Sequence, residues 1–311
     1  MVRQRLAPAL AAALVCSACG AGADDEAADR AVEEATAAPL DSADVVFSIT
    51  GLAGPEAVRY DPDQDVWFVA NFGEAADDDR DENGFITRAS ADGTVEELRF
   101  MEGTSDAPLH MPRGMYIEGD TLWAADIDGV HGFDRRTGEQ LAFIDFTAHE
   151  PGFLNDVATG PDGTLYVTDT GLGRVYAAAG AGAEPTVAVE DTLTGPPNGI
   201  TWDPGRSAFL LAPWGGGRVI RSWAPGGSTL DEALTVPGGG RFDGIEVVDG
   251  AVLAASQDDT ALWWAENGEQ PRQIVITPGR PADIGVDTRR GRVAVPYIAL
   301  DRVDVWALPG R

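Results

Sequence analysis

Six short phrases along this chain open on a residue that can offer a side chain to chemistry or to the channel, and then turn apolar. They are Glu56-Ala57-Val58, Arg113-Gly114-Met115, Asn155-Asp156-Val157, Asn198-Gly199-Ile200, Asp243-Gly244-Ile245 and Ala282-Asp283-Ile284. The leading residues are 57, 42, 43, 45 and 39 positions apart. Their side chains read Glu, Arg, Asn, Asn, Asp, Ala. Carboxylates and amides brought together form an all-oxygen donor set, which suits Ca²⁺, Mg²⁺ or Mn²⁺ better than a soft metal. Arg113 is the one basic member, placed to hold a substrate anion or to neutralise its acidic neighbours.

Only a fold that brings six distant phrases to one axis makes chemistry of them. The spacing is that of propeller blades. Each phrase leads a run of short alternating strands joined by Asp-Pro or Asp-Gly turns, the pattern of an antiparallel meander. The clearest copy runs from Asn155 through Gly160-Pro161-Asp162-Gly163 and Leu165-Tyr166-Val167 to Arg174-Val175-Tyr176. The expected fold is therefore all-β, a six-bladed β-propeller of four-stranded antiparallel blades. A β-sandwich or another repeat array is the competing arrangement. Closure of the disc needs partners for the edge strands. Val45–Ile49 and Val303–Ala307, from the two ends of the domain, are expected to share the last blade.

Composition narrows the class. The chain has 311 residues, a formal charge of −29 and no lysine. Such a charge repels nucleic acid and anionic lipid, so no nucleic-acid partner is expected. Both cysteines, Cys16 and Cys19, lie near the N-terminus. Residues 1–19 read as an export signal, with Arg3 and Arg5 ahead of an apolar run from Leu6 to Val15. Cys19 follows small residues, which is the acceptor pattern of a bacterial lipoprotein. The expected location is the outer face of a bacterial membrane through lipidated Cys19, with secretion as the alternative. Residues 20–41 are small and acidic, a flexible tether with little to bury. Residues 42–311 form the one domain, expected to be a monomer that touches the membrane only through its anchor.

The phrases resemble the family of senescence marker protein 30, the gluconolactonases and the luciferin-regenerating enzyme. The resemblance covers roughly residues 50–307. It rests on Glu56-Ala57-Val58, Leu154-Asn155-Asp156, Asn198-Gly199-Ile200 and Phe242-Asp243-Gly244, each in its expected blade. It implies one divalent cation in the channel, Ca²⁺ foremost with Mg²⁺, Mn²⁺ or Zn²⁺ as alternatives, held by Glu56, Asn198 and Asp243. It implies that Asn155 meets substrate beside the metal. Metal-dependent hydrolysis of a lactone or related ester follows, with Asp243 as ligand and base. Asp156 is the local rival for the base, although strand alternation turns it away. Family members acting on sugar lactones often carry an arginine where this chain has Phe153, so a less polar lactone or ester suits this position better. A non-catalytic surface binding module, or a lyase or strictosidine-synthase-like enzyme, are the other readings. Asp283 is one place later than the leading column. His110 lies near the channel mouth, and the acidic run Glu74–Glu82 reads as a solvated loop.

Overall fold

The structure, a computed structural model, describes residues 44–74, 80–191, 193, 195–266 and 268–309. The expected signal, Cys19, the tether and the middle of the acidic run lie outside the described residues. Among the described residues no helix is long and apolar enough to cross a membrane.

Six four-stranded antiparallel sheets follow one another around an axis, as the repeat predicts. Their first strands, nearest the channel, are Pro55–Asp61, Met115–Glu118, Leu154–Thr159, Pro197–Asp203, Phe242–Val248 and Gly285–Asp287. The second strands are mostly apolar and almost wholly buried, and Val66–Asn71 and Ala251–Ser256 are buried along their whole length. Both of their faces pack on neighbouring blades, so alternation disappears there. The fourth strands, such as Val95–Met101, form the rim and are largely exposed.

The core is divided into six clusters, one between each pair of adjacent blades. Phe68, Ile86 and Met101 of blade 1 meet Met115, Leu122 and Phe133 of blade 2. Leu253, Leu262 and Trp264 of blade 5 meet Val293, Val295 and Tyr297 of blade 6. Each such side chain removed from water contributes about 1.5–3 kcal/mol, so the blades stabilise one another rather than themselves.

The ring closes as expected. Val45–Thr50 pairs with Arg302–Ala307 in the sixth sheet, Ser48 opposite Asp304 and Ile49 opposite Val303. The Ser48 hydroxyl donates to Asp304 Oδ1 at 2.6 Å. Next to the channel, Gly199 and Gly244 set how close the first strands come. A Cβ on Gly199 would lie 2.2 Å from the Asp243 carbonyl oxygen, and one on Gly244 would lie 2.4 Å from the Ile284 nitrogen. Asn-Gly and Asp-Gly here start strands rather than make turns.

Candidate functional site

Each donor residue stands where its strand ladder is broken. The pairing slips between Pro55 and Ala57, Leu154 and Val157, Pro197 and Ile200, and Phe242 and Ile245. Slips of this kind are β-bulges, which re-aim side chains out of the regular pleat. Glu56, Asn155, Asn198 and Asp243 lie within these four slips, and all four line one cavity of about 590 Å³.

A repeated clamp fixes the segment ahead of Glu56, Arg113, Asn155 and Asp243. A polar side chain at the end of the second strand accepts the N–H three residues before the leading position. Asn71 Oδ1 takes that of Ala53 at 3.1 Å, and Asp126 Oδ2 that of His110 at 2.7 Å. Asp169 Oδ2 takes Gly152 at 3.0 Å, and Ser256 Oγ takes Gly240 at 3.1 Å. Asp126 and Asp169 also take the next N–H, from Met111 and Phe153.

The four donors are 3–4% exposed. Glu56 Oε2, Asn155 Oδ1, Asn198 Oδ1 and Asp243 Oδ1 each have no hydrogen-bond partner. One buried acceptor left unmet costs about 1–3 kcal/mol. Four of them around one cavity mark a place built for something positive. Gln257 Nε2 donates to Asp243 Oδ2 at 2.7 Å, which holds the carboxylate and leaves Oδ1 turned free.

Electrostatics agree with that reading. Burial pushes the Glu56 carboxyl well above its ordinary range, and the charge of Asp243 adds to the effect while Arg113 opposes it. Burial pushes Asp243 up to about 7, against hydrogen bonds from Gln257 and Asn198 and with the charge of Asp156 adding to it. Burial of this kind favours the protonated carboxyl, and a bound cation would favour the ionised one.

Other expected site residues take different places. Phe153 lines the cavity and is 43% exposed. Arg113 lies behind it rather than in the lining, with its guanidinium 4.0 Å from the Phe153 ring centroid and its Nη1 donating to the Leu154 carbonyl at 3.0 Å. Asp156 does not line the cavity either. Its Oδ1 accepts the Val157 N–H at 2.7 Å and its Oδ2 the Ile200 N–H at 2.8 Å, so it fastens blade 3 to blade 4. Burial nevertheless lifts it to about 7, with Arg59 pulling the other way. Asp283 sits one step deeper, 3.7 Å from Arg59, and its backbone bonds to Glu56 and Val58.

A second group, Asp126, Asp128 and His131, brings its ligand atoms within 4.8 Å of one another. By residue type and spacing it is capable of coordinating a divalent cation. Asp126 has both oxygens engaged, whereas Asp128 Oδ1 and His131 Nε2 have no hydrogen-bond partner. Asp126 accepts from His110, Met111 and Ile127 as the blade 2 copy of the clamp. Gln140 is oriented by Thr104 and Ala107, so its amide donates to His131 Nδ1 at 2.7 Å. The ring proton then sits on Nε2, 3.4 Å from Asp126. Asp128 Oδ2 takes Arg80 at 2.9 Å.

Sequence reasoning missed the walls. Phe72, Thr170, Trp214, Gln257 and Ile298 complete the cavity with Pro196. Each of the first five immediately follows the second strand of its blade. That position is a signal readable once the strands are aligned.

No family model matches the chain, and no curated protein matches it in sequence. Its fold is shared with solved propellers. A structural-genomics target described as a candidate gluconolactonase is 17% identical, with a TM-score of 0.64 over 86% of this chain and 92% of that one. A gluconolactonase from Xanthomonas campestris is 15% identical, TM-score 0.64, over 88% and 96%. A candidate oxidoreductase (glucose dehydrogenase) from Thermus thermophilus is 17% identical, TM-score 0.60, over 85% and 98%. The likeness is one of architecture, at an identity that carries fold and not activity.

Proposed function

We propose that the channel cavity holds one divalent cation and that the protein hydrolyses a lactone or related ester. The observation that carries this is the set of four buried oxygens without partners, on Glu56, Asn155, Asn198 and Asp243. The residues fit a hard cation: two carboxylates and two amides, all oxygen. Glu56, Asn198 and Asp243 are the ligands in this reading, and Asn155 holds substrate beside them. Ca²⁺ fits best, ahead of Mg²⁺ and Mn²⁺; Zn²⁺ favours nitrogen and sulfur. When bound, such an ion polarises an ester carbonyl and acidifies bound water.

The chain's own part is positioning and proton handling. Gln257 holds one oxygen of Asp243, so the other has a fixed direction. Asp243 Oδ1 is then the atom that takes a proton from the attacking water. Asp156 is not the base in this reading, which is supported by its absence from the cavity lining. Glu56→Gln and Asp243→Asn should each weaken cation binding and turnover by more than roughly 100-fold while the protein keeps a single cooperative thermal transition. Retention of both binding and turnover in either variant rejects the assignment.

A non-catalytic binding module is the second reading, favoured by the aromatic mouth of Phe72, Phe153 and Trp214. It predicts cation and ligand binding without turnover of any ester. Export through the segment 1–19, cleaved ahead of a lipidated Cys19 that the tether at 20–41 follows, belongs to the same proposal. Mass spectrometry of the mature N-terminus tests it, and an unmodified Met1 would reject it.

A further inference from the structure

The floor of the cavity is ionic, but its walls are not. Phe72, Phe153, Pro196, Trp214 and Ile298 make up most of the lining above the four donors. Two polar side chains join them, and each has a hydrogen already given to the protein. Thr170 Oγ1 donates to the Pro197 carbonyl at 2.7 Å, and Gln257 Nε2 donates to Asp243. Arg113 is 2% exposed and stacked under Phe153, so it offers no charge at the mouth. Outward from Phe153 the surface stays apolar: Leu172, 39% exposed, packs against Gly152.

A sugar lactone carries a hydroxyl on nearly every ring carbon. In this cavity most of those hydroxyls would face hydrocarbon with no partner, and each would lose its water. A hydrocarbon substituent would gain from the same walls. We propose that the ligand is a lactone or ester bearing an alkyl or aryl substituent, its carbonyl at the donor floor and its substituent against Phe153 and Trp214. The proposal rests on the hydrolytic reading of the cavity for the ester bond, and on the walls alone for the substituent. A volume of about 590 Å³ holds a small ring and a medium chain together.

Two measurements separate the two claims. The first is kcat/KM for γ-lactones with side chains from methyl to octyl, with gluconolactone alongside. It should climb by about fourfold per methylene over the length the walls cover. Gluconolactone should fall roughly 100-fold or more below the best alkyl lactone. Phe153→Asn and Trp214→Ala should flatten the chain-length slope while calcium affinity stays as in the parent. The second is calorimetry with an octyl-substituted pyrrolidinone, which cannot be hydrolysed, against the lactam of gluconic acid. The octyl compound should bind, with a negative heat-capacity change.

Binding of the octyl lactam without turnover of any lactone keeps the ligand class and rejects the hydrolase. Equal or better turnover of gluconolactone, or no preference for the octyl lactam, overturns the ligand class and leaves the cation reading standing on its own titration.

Discussion

At the scale of single residues, the site depends on carboxyls that are costly to bury and useful for that reason. Asp156 and Asp243 are both pushed to about 7 by burial, from 3.8. An acid raised in the folded state binds protons there that the unfolded chain does not bind. Without a cation, stability should therefore be greatest near pH 4 and fall as pH rises towards 7, by up to about 1.4 kcal/mol per pH unit for each group. Added Ca²⁺ should flatten that slope, and urea melts at pH 5 and 7.5 with and without calcium measure it. A flat slope in the metal-free protein would contradict the burial argument. Asp126 has the opposite sign. Burial opposes its charge, but its bonds from His131, His110 and Met111 win, and its carboxyl is held below 3.8. Its contribution is full above about 3.8 and is lost as pH falls from there through the lower folded-state value. Gln257→Leu should weaken calcium binding by roughly 10–100-fold, the usual worth of an outer partner, with little change in melting. The four donors were legible as a column because each begins an apolar strand at a regular interval. Gln257 was not, because nothing in Ser256-Gln257-Asp258 distinguishes a positioning amide from a loop. Asp156 was legible as an acid turned away by strand alternation, but its bond to the Ile200 N–H of the next blade was not.

Among the elements, bulge and clamp work as one device. The bulge turns a donor into the channel, and the clamp holds the chain just before it. Asp169 is the fullest example, accepting from Gly152, Phe153 and Leu172. Asp169→Ala should cost about 1–3 kcal/mol, since it leaves three part-buried N–H groups without their acceptor, and should weaken calcium binding through displaced Asn155. Asp162→Ala, in an exposed turn where the side chain bonds only Thr164, should cost no more than about 1 kcal/mol. Equal losses in the two variants would refute the clamp. Strands and turns were visible in the alternation and the Asp-Gly pairs. Bulges were not, because a slip of register depends on what the neighbouring blade accepts, and periodicity within one strand does not carry it. The walls stayed hidden for a related reason. Phe72, Trp214 and Ile298 look like ordinary apolar residues of loops until five second strands are aligned by their ends.

For the whole molecule, the ring is held by interfaces between blades and by one strand from the other end of the chain. Removing Val45–Thr50 strips the outer strand from the sixth sheet and exposes the Arg302–Ala307 edge. A chain starting at residue 52 should lose cooperative melting or associate through that edge; size-exclusion chromatography would show it, and an unchanged monomer would show that closure matters little. This closure was readable from the two end strands, and the six-fold architecture from the spacing. The central claim is narrower: the cation belongs to the channel donors rather than to Asp126, Asp128 and His131. Calcium titration calorimetry on the wild-type protein and on Glu56→Gln, Asp243→Asn and Asp128→Asn tests it most directly. The account predicts one site, weakened more than roughly 100-fold in the first two variants, beyond what an outer partner is worth, and unchanged in Asp128→Asn. Binding that survives Glu56→Gln and Asp243→Asn but disappears in Asp128→Asn, or no binding at all, would contradict it.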